Sequence, residues 1–355
     1  MGGVRRGIPA DGCRLRVTLA DLASTRLGVV LACTALATPL AGCGLSSPMT
    51  TLTPKSDFGR VSHTIFLQVL WWDLAIFAVV ATVLLVAIRR FRERDPAALP
   101  PQVRGNARLE LAWTIAPAIV LTFIAFPTVT AVFRTQALPP PDALRVRVTG
   151  HQWWWEFQYP DLGITTASDL HLPAGRPVAL EVTSLDVIHS FWVPQLGGKR
   201  DTLPGQVNRI LLTPATPGVY LGQCAEFCGV SHANMRHAAI VQSAEEFQAW
   251  VTREKAAPAE PAEGSPASKG RELFQTYACV GCHAIRGLSG GVLGPDLTHV
   301  GSRRTIAGGV LLNTPENLAR WLKDPPAVKP GSLMPNLRLA DAEVAALAAY
   351  LTGLK

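Results

Sequence analysis

Charge is scarce in this chain. Only 17% of its 355 residues are Asp, Glu, Lys or Arg, while 48% are hydrophobic, and about 25% charged is usual for a soluble domain. An ordinary soluble enzyme is thereby excluded, and membrane-crossing segments become the first expectation. The formal charge of +7 does not imply nucleic acid either. Five arginines fall before residue 27 and six more between Arg89 and Arg108, and neither group sits on a folded domain with interleaved aromatics. Methionine is scarcer still: Met1, Met49, Met235 and Met334 are the full set.

What is present at the N-terminus reads as an export signal. Arginines up to Arg26 precede an apolar run, LGVVLACTALATPL, that ends in LAGC at residues 40–43. The run is too short to span a bilayer well, and small residues follow it, as in a cleaved secretory segment. LAGC resembles a bacterial lipobox, which makes Cys43 the expected lipidated first residue after removal of a signal peptide at 1–42. Cys13 and Cys33 then fall in discarded sequence.

Two long apolar stretches follow, at about 64–88 and 111–133. Each exceeds the roughly 20 residues needed to cross the hydrocarbon core. The arginine-rich IRRFRERDPAALPPQVRGNAR between them belongs in the cytoplasm by the positive-inside rule. Both the N-terminus and everything after residue 134 then lie outside, in agreement with the export signal. Asp73, after Trp71 and Trp72, falls inside the first span, where a carboxylate facing a partner subunit or sitting near a shifted interface is expected. Glu110 lies at the cytoplasmic mouth of the second span.

From Leu144 to about Gln242 the pattern becomes β. RVRVTGHQWWWEFQYP, RPVALEVTS and VNRILLTP alternate apolar and polar residues between Pro and Gly turns. Short strands at this spacing predict a small sandwich or barrel of roughly 100 residues. Alternation puts Trp153 and Trp155 on one face and Trp154 on the other. EKAAPAEPAEGSPASKG follows, a linker with no residues for a core. GRELFQTYACVGCH then opens a helix-rich module, TPENLARWLKDP carries a Thr314 cap with proline at the first helical position, and DAEVAALAAYLTGL closes the chain.

The strongest single motif is CVGCH at 279–283. Two cysteines spaced for both haem vinyl groups, with a histidine directly after the second, predict covalent c-type haem on Cys279 and Cys282 with His283 as an axial ligand. Met334, in PGSLMPN, is the one methionine in this module and the expected second ligand. A redox disulfide or zinc half-site would use the same CxxC, but the module has no further cysteines for zinc.

A second cluster, CAEFCGVSHANM, packs Cys224, Cys228, His232 and Met235 into one loop. Sulfur and imidazole together suit copper, with methionine as a weak ligand. A mononuclear blue site would use one cysteine and two histidines. Two thiolates could instead bridge two coppers, each also taking one histidine, the second being His189 in TSLDVIHSFWVP. The competing reading is a disulfide in an oxidising compartment. His237 and His299 are expected to serve packing or solvent, having no sulfur partner at useful spacing. An exposed tryptophan of the 153–155 triplet would suit electron transfer into a copper site.

Together the hairpin, GHQWWWEF, DVIHSFWVPQLGGKRD, the CxxxC loop and the haem motif resemble subunit II of a haem–copper cytochrome c oxidase with a fused C-terminal cytochrome c, the caa type. The resemblance covers nearly everything after Cys43. It implies a multidomain membrane protein: a transmembrane hairpin at 43–137, a cupredoxin-like all-β Greek-key barrel at 138–252, a linker at 253–268 and an all-α cytochrome c domain at 269–355. It implies a binuclear CuA centre held by His189, Cys224, the Glu226 carbonyl, Cys228, His232 and Met235, with the Glu226 side chain on magnesium at the boundary with subunit I. Trp153 matches the family's electron-accepting tryptophan and Glu110 the glutamate at the mouth of a proton pathway. One departure is Trp154, where the family usually has tyrosine or phenylalanine.

The function so implied is electron delivery from a cytochrome c or other donor, through haem c and CuA, to a subunit I that reduces oxygen and pumps protons. Subunit III is a further expected partner, in a bacterial plasma membrane with the large domains on the periplasmic side. This chain lacks the histidine set of an oxygen-reducing centre. A membrane-tethered carrier or copper-delivery protein is the competing class, but needs no paired spans. Nitrous oxide reductase shares the copper loop behind a long propeller that 355 residues cannot contain. Quinol oxidase subunits share hairpin and barrel but lack the copper cysteines.

Overall fold

A computed structural model describes residues 47–92 and 105–355; the expected signal segment and Cys43 lie outside them. Two long helices come first, α1 (Asp57–Arg90) and α2 (Ala107–Thr135). Both are long and apolar enough to cross a membrane. Even the 29 residues of α2 rise about 44 Å, against a hydrocarbon core of about 30 Å. The pair touches through Gln68, whose Nε2 donates to the Phe123 carbonyl at 2.9 Å, and through Trp72 stacked on the Phe123 ring. Trp71, Phe77, Phe126 and Phe133 point outward.

The first turn of α1 is anchored to the β domain. Ser56 is fully buried; its Oγ caps the helix by accepting from Gly59 N at 2.9 Å and donates to the Leu196 carbonyl at 2.6 Å. Asp57 Oδ1 accepts from Thr213 N at 2.6 Å. These bonds fix where the hairpin meets the β domain.

The β domain comprises β1 (Leu144–His151), β2 (Trp154–Tyr159), β3 (Ile164–Ala167), β4 (Asp169–Pro173), β5 (Val178–Ser184), β6 (His189–Val193), β7 (Gly197–Thr202), β8 (Asn208–Leu212), β9 (Gly218–Gln223) and β10 (Arg236–Gln242). One sheet runs β3-β2-β1-β5-β8, a second β4-β10-β9, and β6 pairs with β7. Most neighbours are antiparallel, but β1–β5 and β4–β10 are parallel. The expected all-β domain is thus present. Strand β2 shows why it closes: Trp155, Phe157 and Tyr159 are fully buried while Trp154, Glu156 and Gln158 are not, the period of two that places one strand face in a core. Helix α3 (Ala244–Lys255) covers one end, burying Phe247, Trp250 and Val251 behind a Ser243–Glu246 capping box.

Trp153 departs from its expected place. It lies in the β1–β2 turn, because the chain reverses at residues 152–153 before the ladder restarts with the His151–Trp154 pair.

After residues 256–265, which hold no regular element, α4 (Pro266–Thr276), α5 (Pro315–Lys323), the short α6 (Pro325–Val328) and α7 (Asp341–Gly353) build the C-terminal module. Thr314 Oγ1 accepts from Asn317 N at 3.2 Å, so the predicted cap is formed. Helices α4 and α7 cross closely at Gly270, where a Cβ would stand 2.1 Å from the Ala346 carbonyl oxygen. Leu273, Phe274, Leu347, Tyr350 and Leu351 form the core around that crossing.

Candidate metal centre

The loop after β9 gathers the sulfur ligands expected from sequence. Cys224 and Cys228 are buried, and their Sγ atoms lie 3.7 Å apart, as free thiols. A disulfide would need about 2.05 Å. His232 Nδ1 is 3.5 Å from Cys228 Sγ, Met235 Sδ is 3.9 Å from the same sulfur, and the Glu226 carbonyl is 3.2 Å from Cys224 Sγ. The Cys224 amide donates to the Met235 carbonyl at 2.9 Å, which closes the loop on itself.

His189 arrives from β6, 35 residues upstream, with Nδ1 3.9 Å from Cys224 Sγ. The ligand atoms of His189, Cys224 and Cys228 all lie within 4.8 Å of one another. Its ring is completely buried and packs edge-on to Trp155 at 5.8 Å. Gly150 makes room for it, since a Cβ there would stand 2.8 Å from the ring.

Electrostatics place one negative charge on the sulfur pair, on Cys224. The hydrogen bond from the Cys228 thiol, then the His189 ring, hold Cys224 well below the usual thiol range; the same bond and burial drive Cys228 upward. Burial alone would lower the His189 imidazole, but Asp186 and the Cys224 sulfur outweigh it and raise it. The donor set of two thiols, two imidazoles and a thioether fits a soft, sulfur-seeking metal such as copper.

In the C-terminal module, Cys279, Cys282 and His283 share one tight turn, with both cysteines unpaired. His283 Nδ1 donates to the Pro295 carbonyl at 2.8 Å, which leaves Nε2 as the free lone pair, the arrangement an axial histidine requires. Gly294 lies flat against the ring: a Cβ there would come within 2.5 Å of Cε1. Met334 is half-buried on the loop after α6, beside exposed Leu333, and Val292 and Leu293 stand exposed on the loop next to His283. A histidine with Nε2 free, next to an exposed apolar loop, suits a haem edge.

Residues 59–130 match the family described as the cytochrome c oxidase subunit II transmembrane domain, 163–243 its periplasmic domain and 267–355 cytochrome c. The chain is 39% identical to cytochrome c oxidase subunit 2 of Alkalihalophilus pseudofirmus over 323 residues, 89% of this chain and 94% of that one.

The chain belongs to the cytochrome c oxidase subunit II family.

It is also 37% identical to the cytochrome c oxidase subunit 2 of Bacillus subtilis, over 76% of this chain and 81% of that one. To quinol oxidase subunit 2 of Bacillus cereus it is 30% identical over 60% of this chain and 74% of that one. The subunit II family implies copper in the β domain, the cytochrome c family implies haem in the C-terminal module, and the hairpin marks a membrane protein.

In this family member the residues expected at the copper loop come together, and His189 joins them. Glu226 contributes a carbonyl to the cluster while its side chain is exposed. Glu110 lies in the first turn of α2, away from both centres. His237 is a buried packing residue, stacked on Phe191 at 4.5 Å, and buried His299 has Nε2 3.2 Å from the Glu254 and Ala256 carbonyls. Trp153 is 8% exposed, and its Nε1 donates to the Cys228 carbonyl at 2.9 Å. Sequence reasoning missed Asp186, Pro295 and Lys329. For Asp186 alone there was a signal, a carboxylate three residues before a ligand-type histidine.

Proposed function

We propose that this chain is the subunit through which electrons enter a membrane-bound, proton-pumping terminal oxidase whose subunit I reduces oxygen to water. The observation that carries the reading is the pair of unpaired Sγ atoms 3.7 Å apart, each within 4 Å of a histidine Nδ1, on a chain that also carries CVGCH. His189, Cys224, the Glu226 carbonyl, Cys228, His232 and Met235 would hold a binuclear CuA centre. Cys279 and Cys282 would hold haem c by thioether bonds, and His283 and Met334 would supply ligands to its iron. When bound, these groups supply one-electron chemistry with little change in bonding between redox states.

The rest of the work belongs to the protein. The buried β core excludes water from the sulfur pair, and Asp186 and Pro295 orient the imidazoles of His189 and His283. Trp153, bonded to the carbonyl of Cys228, offers an aromatic bridge toward the copper loop. The Glu226 carboxylate is exposed, free to share magnesium with subunit I. Glu110 would sit at the mouth of a proton path into that subunit, Cys43 would carry a lipid, and the large domains would face the periplasm of a bacterial plasma membrane.

Electron paramagnetic resonance on the copper-loaded full chain tests the reading. Hyperfine splitting shared by two equivalent copper nuclei, and lost in Cys224→Ser, is expected. A single-copper signal, or none, would sink it.

A further inference from the structure

Lys329 is 4% exposed, though a lysine is among the residues least often buried. It lies at the C-terminal end of α6, on the C-terminal module, yet its Nζ donates to the carbonyl of Trp153 in the β domain, 176 residues away. A second bond runs to the Ala307 carbonyl at 2.8 Å. Ala307, Gly308 and Gly309 all have left-handed backbones, with φ of 55°, 68° and 83°. For Ala307 this is a sparsely populated conformation that persists only where its surroundings demand it. The turn it makes aims a carbonyl at Lys329.

The contacts around this ammonium form a continuous seat. The Arg236 amide donates to the Gly308 carbonyl at 2.9 Å, and Ser231 Oγ donates to the Pro330 carbonyl at 2.6 Å. Gly331, with φ of 81°, lies directly on the indole of Trp153: a Cβ there would stand 2.7 Å from Cη2. Farther away, the Arg304 amide donates to buried Asp169 Oδ2 at 2.7 Å. Trp153 is therefore covered by the same loop that continues to Met334.

We propose that Lys329 is a positioning residue whose side chain, bridging the Trp153 and Ala307 carbonyls, locks the C-terminal module onto the β domain with the Met334 loop seated on the Trp153 indole. The proposal rests on the reading of the two centres given above, because it assigns the lock the task of holding a fixed haem-to-copper approach. Burial pulls the Lys329 amine down to about 7, but ammonium and neutral amine both have the two N–H donors that the bridge uses. Removing the amine takes the donor from the buried Trp153 carbonyl and from the half-buried Ala307 carbonyl.

The test compares Lys329→Met, which keeps the aliphatic stem, with the wild type as the full-length, cofactor-loaded chain. Hydrogen–deuterium exchange of peptides covering 150–156, 228–236 and 305–309 is expected to accelerate by roughly tenfold or more. Exchange in α4 and α7 and the haem spectrum should not move. After flash reduction of the haem, electron arrival at copper should slow and become heterogeneous. Wild-type exchange at the seat in Lys329→Met would overturn the proposal. If that variant fails to retain haem, Lys329→Gln, which keeps N–H donors on a shorter stem, decides instead: accelerated exchange at the seat supports the lock, and unchanged exchange overturns it. If no electron reaches copper in the wild type, the functional reading fails, while the exchange result still judges the lock.

Discussion

Asp186 Oδ1 lies 2.8 Å from His189 Nε2, so the imidazole has one nitrogen held and the other aimed at Cys224. The carboxylate is itself fixed: Oδ2 accepts from Gln152 N and Oδ1 from Val187 N, each at 2.6 Å. It is the β-domain counterpart of the Pro295 carbonyl on His283. Asp186→Ala should weaken copper binding by about 10- to 100-fold, the usual effect of losing such a partner. Copper titration followed by the thiolate-to-copper absorption checks it, and wild-type affinity would show that the pair does not orient the ring.

Gly294 sets the His283 ring from the other side. Gly294→Ala would place a methyl 2.5 Å from Cε1, forcing the ring to turn and breaking the bond from Nδ1 to Pro295. The expected result is a haem that binds carbon monoxide and loses part of its low-spin spectrum, read by optical spectroscopy of the reduced protein. An unchanged spectrum would mean that the loop yields instead of the ring.

At the α4–α7 crossing the obstacle is backbone. A Cβ on residue 270 would meet the Ala346 oxygen at 2.1 Å and its carbon at 2.6 Å, and neither can rotate away. Gly270→Ala should destabilise the C-terminal module by about 3 kcal/mol, at the upper end for overpacking. Denaturant unfolding followed at the haem absorption measures this, and a loss below about 0.5 kcal/mol would show that the helices separate easily.

The β domain should weaken in acid. His171 stacks on Trp250 at 4.3 Å and bonds to Gln242 Oε1 at 2.9 Å through Nδ1. Burial lowers its pKa from 6.5 to about 4, with the Gln242 bond acting weakly the other way. The unfolded chain therefore binds the extra proton first, and stability falls as pH drops from 6.5 toward 4, by about 3 kcal/mol in full. His171→Asn should remove this share of the dependence and leave the part carried by His151 and His237, which burial lowers to about 4 and about 3. The pH profile of β-domain unfolding, recorded for both proteins, decides the matter.

Local spacing alone already wrote much of this chain. Cys224, Cys228, His232 and Met235 are neighbours because one loop carries them, and Cys279, Cys282 and His283 because one turn does. The two spans, the Thr314 cap and the alternation of β2 were equally readable, since each depends on residues within a turn or two. What tertiary structure decided was everything that depends on distant segments meeting. His189 reaches Cys224 only because β6 lies beside the copper loop in the folded sheets. Asp186 acquires its role only through that ring. Trp153 read as a strand residue and is a turn residue, and a loop from the far end of the chain lies on it. Lys329 had no sequence signal at all: a single lysine encodes nothing about a carbonyl 176 residues away. Periodicity records which face of an element is buried; only the packing of one module on another decides what buries it.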